Sequence, residues 1–246
     1  MSSLQSPAHI ACIAFLALLF FPPHRLVRQN PPSSAYPDNS DWWSGLNSSG
    51  SDEAVNVQER ELPPATFRVL GIGLSEEMFR RAAAKLGKTQ ILERGDASTG
   101  RSQACYVSSK GSPKTFLIFE QGEVDYGFYL FSDSRPWNGM DRCTPSALVS
   151  DEISIGLGLH LGQSPAEVVA ILGKPSRRSK DELLYSLHAK KKNSPEDLRS
   201  ARQANPDMSD SEFHENYDFY DLGVGILARF TNFRLTYLSI SKSEAT

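Results

Sequence analysis

The 246-residue chain has three cysteines, and no two of them stand in C-x-x-C or metal-knuckle spacing. A dithiol redox motif and a local zinc knuckle are thereby excluded. There is no excess of positive charge: 26 Lys and Arg face 29 Asp and Glu, a formal −3 at pH 7. A nucleic-acid binder normally carries a basic face, so nucleic acid is not an expected partner. The chain has no G-x-S-x-G and no Walker-type loop, and the glycines of residues 156–162 (GLGLHLG) are spaced wrongly for a dinucleotide fingerprint. No H-E-x-x-H or EF-hand pattern is present either. No cofactor and no metal is expected.

What is present is a globular composition, with 39% hydrophobic, 22% charged and 10% aromatic residues, enough to build a core in one domain or two small ones. Residues 10–21 (IACIAFLALLFF) form an apolar run of signal-peptide length, well short of the roughly 20 residues that span a bilayer. Residues 1–30 therefore read as a signal peptide or short membrane anchor, and the protein as exported: periplasmic, envelope-anchored or secreted. Arg25 and Arg28 follow the run and no Lys or Arg precedes it, the reverse of the usual charge order. Cys12 lies inside the run, not after it, which argues against a lipoprotein cleavage site. Residues 31–64 are rich in Pro, Ser, Asn, Gly and Asp without helical or alternating period, and read as a disordered linker. Membrane contact is expected only through the N-terminal segment, if it is retained.

The strongest local signal is a helix after Ser164. Its hydroxyl suits the cap, Pro165 the first helical position, and Glu167 the capping-box carboxylate. Val168, Ile171 and Leu172 share one face, and Gly173 and Pro175 stop the helix. A second helix is expected from Ser75 through Leu86, ended by Gly87. Strands are expected over residues 103–108, 115–120, 124–132, 183–188, 213–222, 225–230 and 234–241, the last two a hairpin around Thr231-Asn232-Phe233. The order of helix, Leu-Gly-Lys, strand and hairpin thus occurs twice. The expected fold is α+β: two tandem units, each a short helical segment packed on an antiparallel sheet of three to four strands. Residues 65–135 form the first unit, 136–152 the link, and 153–246 the second unit with an insertion at 189–212. Each helix would cover one sheet face and leave the other free. Cys105 and Cys143 are a candidate disulfide worth about 3 kcal/mol in the loop-entropy account; the alternative is two separate buried thiols.

Residues 161–168 (LGQSPAEV), 172–175 (LGKP) and Leu184-Tyr185 together resemble the unit of the outer-membrane assembly lipoproteins of the BamE (SmpA/OmlA) family. The same unit occurs as a tandem pair in the β-lactamase inhibitor proteins. The resemblance spans residues 156–240 best and 67–132 more thinly. It implies a helical segment on a small antiparallel sheet, in extracytoplasmic proteins that bind other proteins and do no chemistry. No lipidation cysteine stands in the family's place, and no Pro follows Lys88. The matched positions are caps and core, so no contact residues carry over.

Candidate site residues come from surface chemistry. Tyr126, Phe128, Tyr129, Tyr217, Phe219, Tyr220 and Tyr237 supply more aromatic surface than one helix per unit covers; core packing takes about half of them, since alternate strand residues face inward. The rest can form a binding face, as aromatic anchors dominate protein interfaces, and all but Phe219 are taken as candidate contacts. A basic run, residues 188–192, and an acidic one, 207–221, flank the insertion, where cross-strand charge pairing and a recognition loop are the two readings. The leading function is a non-catalytic exported or envelope-associated protein-binding module using its open sheet face. The alternatives are a protein inhibitor of a secreted hydrolase and a metal-dependent or acid–base enzyme using His214 with Glu212 or Asp218.

Overall fold

The computed structural model describes residues 55–94, 100–133 and 142–245. The expected signal segment, most of the expected linker and part of the link between the two halves lie outside the described residues. Strands β1 (Gln58–Glu59), β2 (Arg68–Val69) and β3 (Ile72–Gly73) are two-residue elements, and helix α1 (Met78–Leu86) follows them. Next come β4 (Ile91–Arg94), β5 (Arg101–Ser108), β6 (Lys114–Gln121), β7 (Asp125–Asp133) and β8 (Thr144–Ser146). Helix α2 (Pro165–Leu172) and β9 (Arg177–Arg178) lead into the long strands β10 (Glu182–Lys192), β11 (Phe219–Thr231) and β12 (Arg234–Ala245). Helices α3 (Pro195–Ala204) and α4 (Asp210–Tyr217) are inserted between β10 and β11.

Ten of these strands form one sheet in the order β1-β10-β11-β12-β7-β6-β5-β4, with β8 beside β5 and β9 beside β10, and β2 and β3 pair with each other as a separate two-stranded sheet. This corrects the expectation of two tandem units on separate small sheets. The meanders β5-β6-β7 and β10-β11-β12 are joined because β7 pairs antiparallel with β12, from Phe131 opposite Tyr237 to Asp125 opposite Ser243. Left apart, each would expose a long row of unpaired N–H and C=O groups along an edge strand. Paired, each completes the other's ladder. A second sign of this arrangement is β6, where Thr115 through Glu120 are buried at every position. A strand covered on one face alone alternates; a central strand covered on both does not.

Both helices are fastened by local chemistry. Ser164 accepts a hydrogen bond at Oγ from the Glu167 N–H (3.3 Å), while the Glu167 carboxylate accepts from the Ser164 N–H at 2.7 Å, completing the capping box. Helix α1 begins at Met78, whose N–H bonds the Ser75 carbonyl at 2.9 Å; Ser75 serves it through its backbone. Each helix ends on a glycine with positive φ, 104° at Gly87 and 77° at Gly173. The carbonyls of these glycines accept hydrogen bonds from sheet tyrosines, Tyr106 to Gly87 (3.1 Å) and Tyr185 to Gly173 (3.2 Å). The same tie therefore holds α1 to β5 and α2 to β10. Burial pushes both phenols up to about 12.

Each face of the sheet has a core. On the helix-bearing face Val69, Met78, Tyr106, Leu117, Phe128, Leu130, Val168, Leu172, Tyr185 and Ile240 pack together. The opposite face holds Cys105, Phe116, Ile118, Tyr129, Phe131, Cys143, Leu184, Leu227 and Tyr237. Cys105 and Cys143 form a disulfide there, with S–S 1.95 Å and Cα–Cα 4.6 Å.

Candidate protein-binding surface

The aromatic residues proposed from sequence part company in the fold. Phe128 is enclosed in the core under the helices, and Tyr129 and Tyr237 are buried on the other face. These three are corrected from surface to core. The face expected to be free is filled, because the register sets Phe131 opposite Tyr237 and Tyr129 opposite Ser239 and Ile118, so that the rings lie against one another. Tyr129 is further committed by its hydroxyl, which donates to Glu120 Oε1 at 2.8 Å. Glu120, 1% exposed, also accepts from Gln103 Nε2 and from Arg101 at 3.3 Å, and Arg101 donates to Asp125 at 2.8 Å. A buried carboxylate so surrounded is a structural lock. Burial, then the charge of Glu120, holds the Tyr129 phenol well above its ordinary value.

Tyr126, Tyr217 and Tyr220 remain partly accessible, and Tyr217 and Tyr220 belong to the β10–β11 excursion. Strand β10 runs past the expected end at His188 to Lys192, with Lys190 opposite Asp221 and Lys192 opposite Phe219. Of the acidic run only Asp221 meets the basic run across this ladder, with His188 Nε2 3.1 Å from its Oδ1, while the carboxylates from Asp207 to Asp218 lie in the inserted segment. Residues 213–217, expected as strand, are the last turns of α4, because Ser209 accepts at Oγ from the Glu212 N–H (3.3 Å) and starts a helix four residues earlier.

The two inserted helices make an arm with its own small core. Asn193 closes the base, its N–H donating to the Asp218 carbonyl (2.9 Å) and its side-chain amide to the Tyr217 carbonyl (2.7 Å). Ser194 and Asp197 form a second capping box at the start of α3. Arg202 donates to the Met208 carbonyl and to Asp210, each at 2.7 Å, and lays its guanidinium 3.9 Å above the ring of Phe213. Tyr217 stacks on that ring at 5.0 Å, its hydroxyl accepting from Asn205 at 3.2 Å, and the His214 ring stands edge-on to it at 6.0 Å. Phe213 is 4% exposed and belongs to neither sheet core, α3 buries no residue, and α4 buries Phe213 alone. The arm therefore rests on itself. Between residues 193 and 218 it carries seven carboxylates against Arg199 and Arg202, a formal −5.

At the foot of the arm the ribbon is aromatic on both sides. Phe219 is 45% exposed on one side with Lys190 Nζ 5.6 Å from its ring centre. Tyr220 occupies the other, where Lys191, opposite it on β10, pairs with Glu61. Partial burial raises the Tyr220 phenol above its usual value, and the Glu244 carboxylate adds to this. Tyr126 lies on the same face, beneath Lys242 at 5.7 Å; partial burial, then Glu76, raises its phenol too. Phe219 stood among the aromatic residues noted from sequence but outside the candidate contacts, although a signal for it exists. Successive strand residues point to opposite faces, so in Phe219-Tyr220 two aromatic side chains cannot both turn to one core.

His214 and Asp218 do meet, with Nδ1 2.7 Å from Oδ1, as an i,i+4 pair on the exposed surface of α4. Among the described residues no group of three or more His, Cys, Asp or Glu side chains is placed to hold a metal ion. No described helix is long and apolar enough to cross a membrane. Comparison of the chain with protein-family models, with curated proteins and with solved structures finds no match.

Proposed function

We propose that this protein is a non-catalytic protein-binding module whose contact surface is the acidic helical arm and the aromatic ribbon at its foot. The observation that carries the reading is the arm's self-sufficiency. A two-helix insertion that buries one side chain, and that one within itself, adds little to the stability of the sheet. It holds a dense negative charge and an exposed Phe219 at a defined place. The partner that fits has a basic surface with an apolar recess, the charges setting orientation and association rate and the ring supplying the anchor. Residence outside the cytoplasm is part of the proposal. It is supported by the apolar run at residues 10–21 and by the Cys105–Cys143 bond, a linkage that persists in oxidising compartments.

The test is site-specific photo-crosslinking in the native host, with p-benzoylphenylalanine at position 219 of the full chain and, as control, at the exposed edge residue Ile91. A discrete protein adduct from position 219, absent from 91 and weakened by Glu212→Lys with Glu215→Lys, is expected. Equal labelling from both positions, or none from 219, refutes the placement.

A further inference from the structure

The end of the sheet opposite the arm carries a second projecting aromatic residue. Strands β11 and β12 are joined by a two-residue turn, Asn232-Phe233, both with positive φ, 51° and 62°. That is the dihedral signature of a type I′ turn, whose second position favours glycine because a Cβ there is strained. Phe233 is also 73% exposed. A lone exposed apolar side chain needs no explanation by itself. Here a bulky ring occupies a glycine position and buries little in return, so its benefit to the fold is negative on both counts.

The surroundings show which surface it suits. The Phe230 N–H bonds the Asp181 carbonyl at 2.9 Å, so the turn between β9 and β10 lies beside the Phe233 turn. That neighbouring turn exposes Lys180, Arg178 precedes it on β9, and Arg234 follows Phe233, donating to the Gly162 carbonyl at 3.0 Å while staying exposed. The β5–β6 loop at the same end adds Lys110. Against these four cations stand Asp181 in the turn and Glu167, near enough to Arg234 to feel its charge, while Glu182 at the start of β10 is paired with Arg229. The strand axis thus runs from an acidic arm to a basic end in a chain whose net charge is −3. An aromatic ring ringed by Lys and Arg matches the boundary of an anionic bilayer, where the ring enters the headgroup region and the cations meet phosphates.

We propose that the β11–β12 turn is a membrane-contact site, at which Phe233 enters the interface of an anionic lipid surface while Lys180, Arg178 and Arg234 bind its phosphates. The site is independent of the arm and of the N-terminal apolar run.

The experiment uses the full chain with p-benzoylphenylalanine at position 233, irradiated on phosphatidylcholine vesicles with and without phosphatidylglycerol. Lipid adducts at 233 are expected on the anionic vesicles, reduced at least about tenfold on neutral ones and by Lys180→Glu with Arg234→Glu. Label at position 219, at the other end, should yield none. No adduct at 233, equal adduct on both vesicles, or adduct only to protein when envelope fractions are supplied overturns the proposal. Phe233→Gly separates function from folding: its Tm should stay level or rise by about 1 to 4 °C. A fall in Tm would show that the ring serves the fold, and would overturn the reading as well.

Discussion

Replacing Phe213 by alanine tests whether the arm is a unit of its own. The ring is sandwiched between Arg202 at 3.9 Å and Tyr217 at 5.0 Å and is 4% exposed. Removing such a ring from a core costs about 3–5 kcal/mol, and loss of the guanidinium contact adds about 1 kcal/mol. If the arm were integral to the sheet, a domain of this size would lose about 2–4 °C of Tm per kcal/mol, and melting would fall by roughly 6 °C or more. The structure argues otherwise, because the ring touches neither sheet core. Helices of ten and eight residues are not stable alone in water, so without Phe213 the arm opens while the sheet persists. The expected result by hydrogen exchange is loss of protection confined to α3 and α4, about a hundredfold or down to that of open chain. Amides of β5, β6 and β7 should be unchanged, and Tm should move by no more than a degree or so. A Tm drop of about 6 °C or more, or faster exchange in the central strands, refutes the independence of the arm.

Reduction of the Cys105–Cys143 bond, which closes a sequence separation of 38 residues, should cost about 3 to 4 kcal/mol and lower Tm by roughly 6 to 15 °C; a thermal melt with and without dithiothreitol reads this, and an unchanged Tm contradicts it. Alkaline pH should weaken the fold, since Tyr106 and Tyr185 are raised to about 12 from an unfolded value near 10. Between those values the folded chain holds more protons than the unfolded one, so stability is full below about pH 10 and falls as pH rises toward 12. Urea midpoints across that range should decline, with a shallower slope for Tyr106→Phe with Tyr185→Phe; a flat profile in the native protein would be the contrary result.

The sequence by itself determined the local elements whose causes are local. Ser164, Pro165, Glu167 and Gly173 bound α2 as read, because caps and stops depend on groups a few residues apart. The 122–124 and 232–233 turns lie where the hairpins were expected, and Cys105 with Cys143 is the pair that forms. The lower end of β10 was hidden by its lysines: Lys190 and Lys192 face solvent-side partners across the ladder, and charge reads as loop when the partner strand is unknown. Tertiary structure alone decided the rest. That β7 meets β12 is a choice between distant edges, and it turned two expected small sheets into one. That same pairing set Tyr129 and Tyr237 into a second core, since a ring's exposure depends on what lies across the sheet from it. Phe219 kept its access because β10 and β11 run on to the foot of the arm, beyond both cores, and Tyr220 kept part of its own because it only borders the helix-side core there.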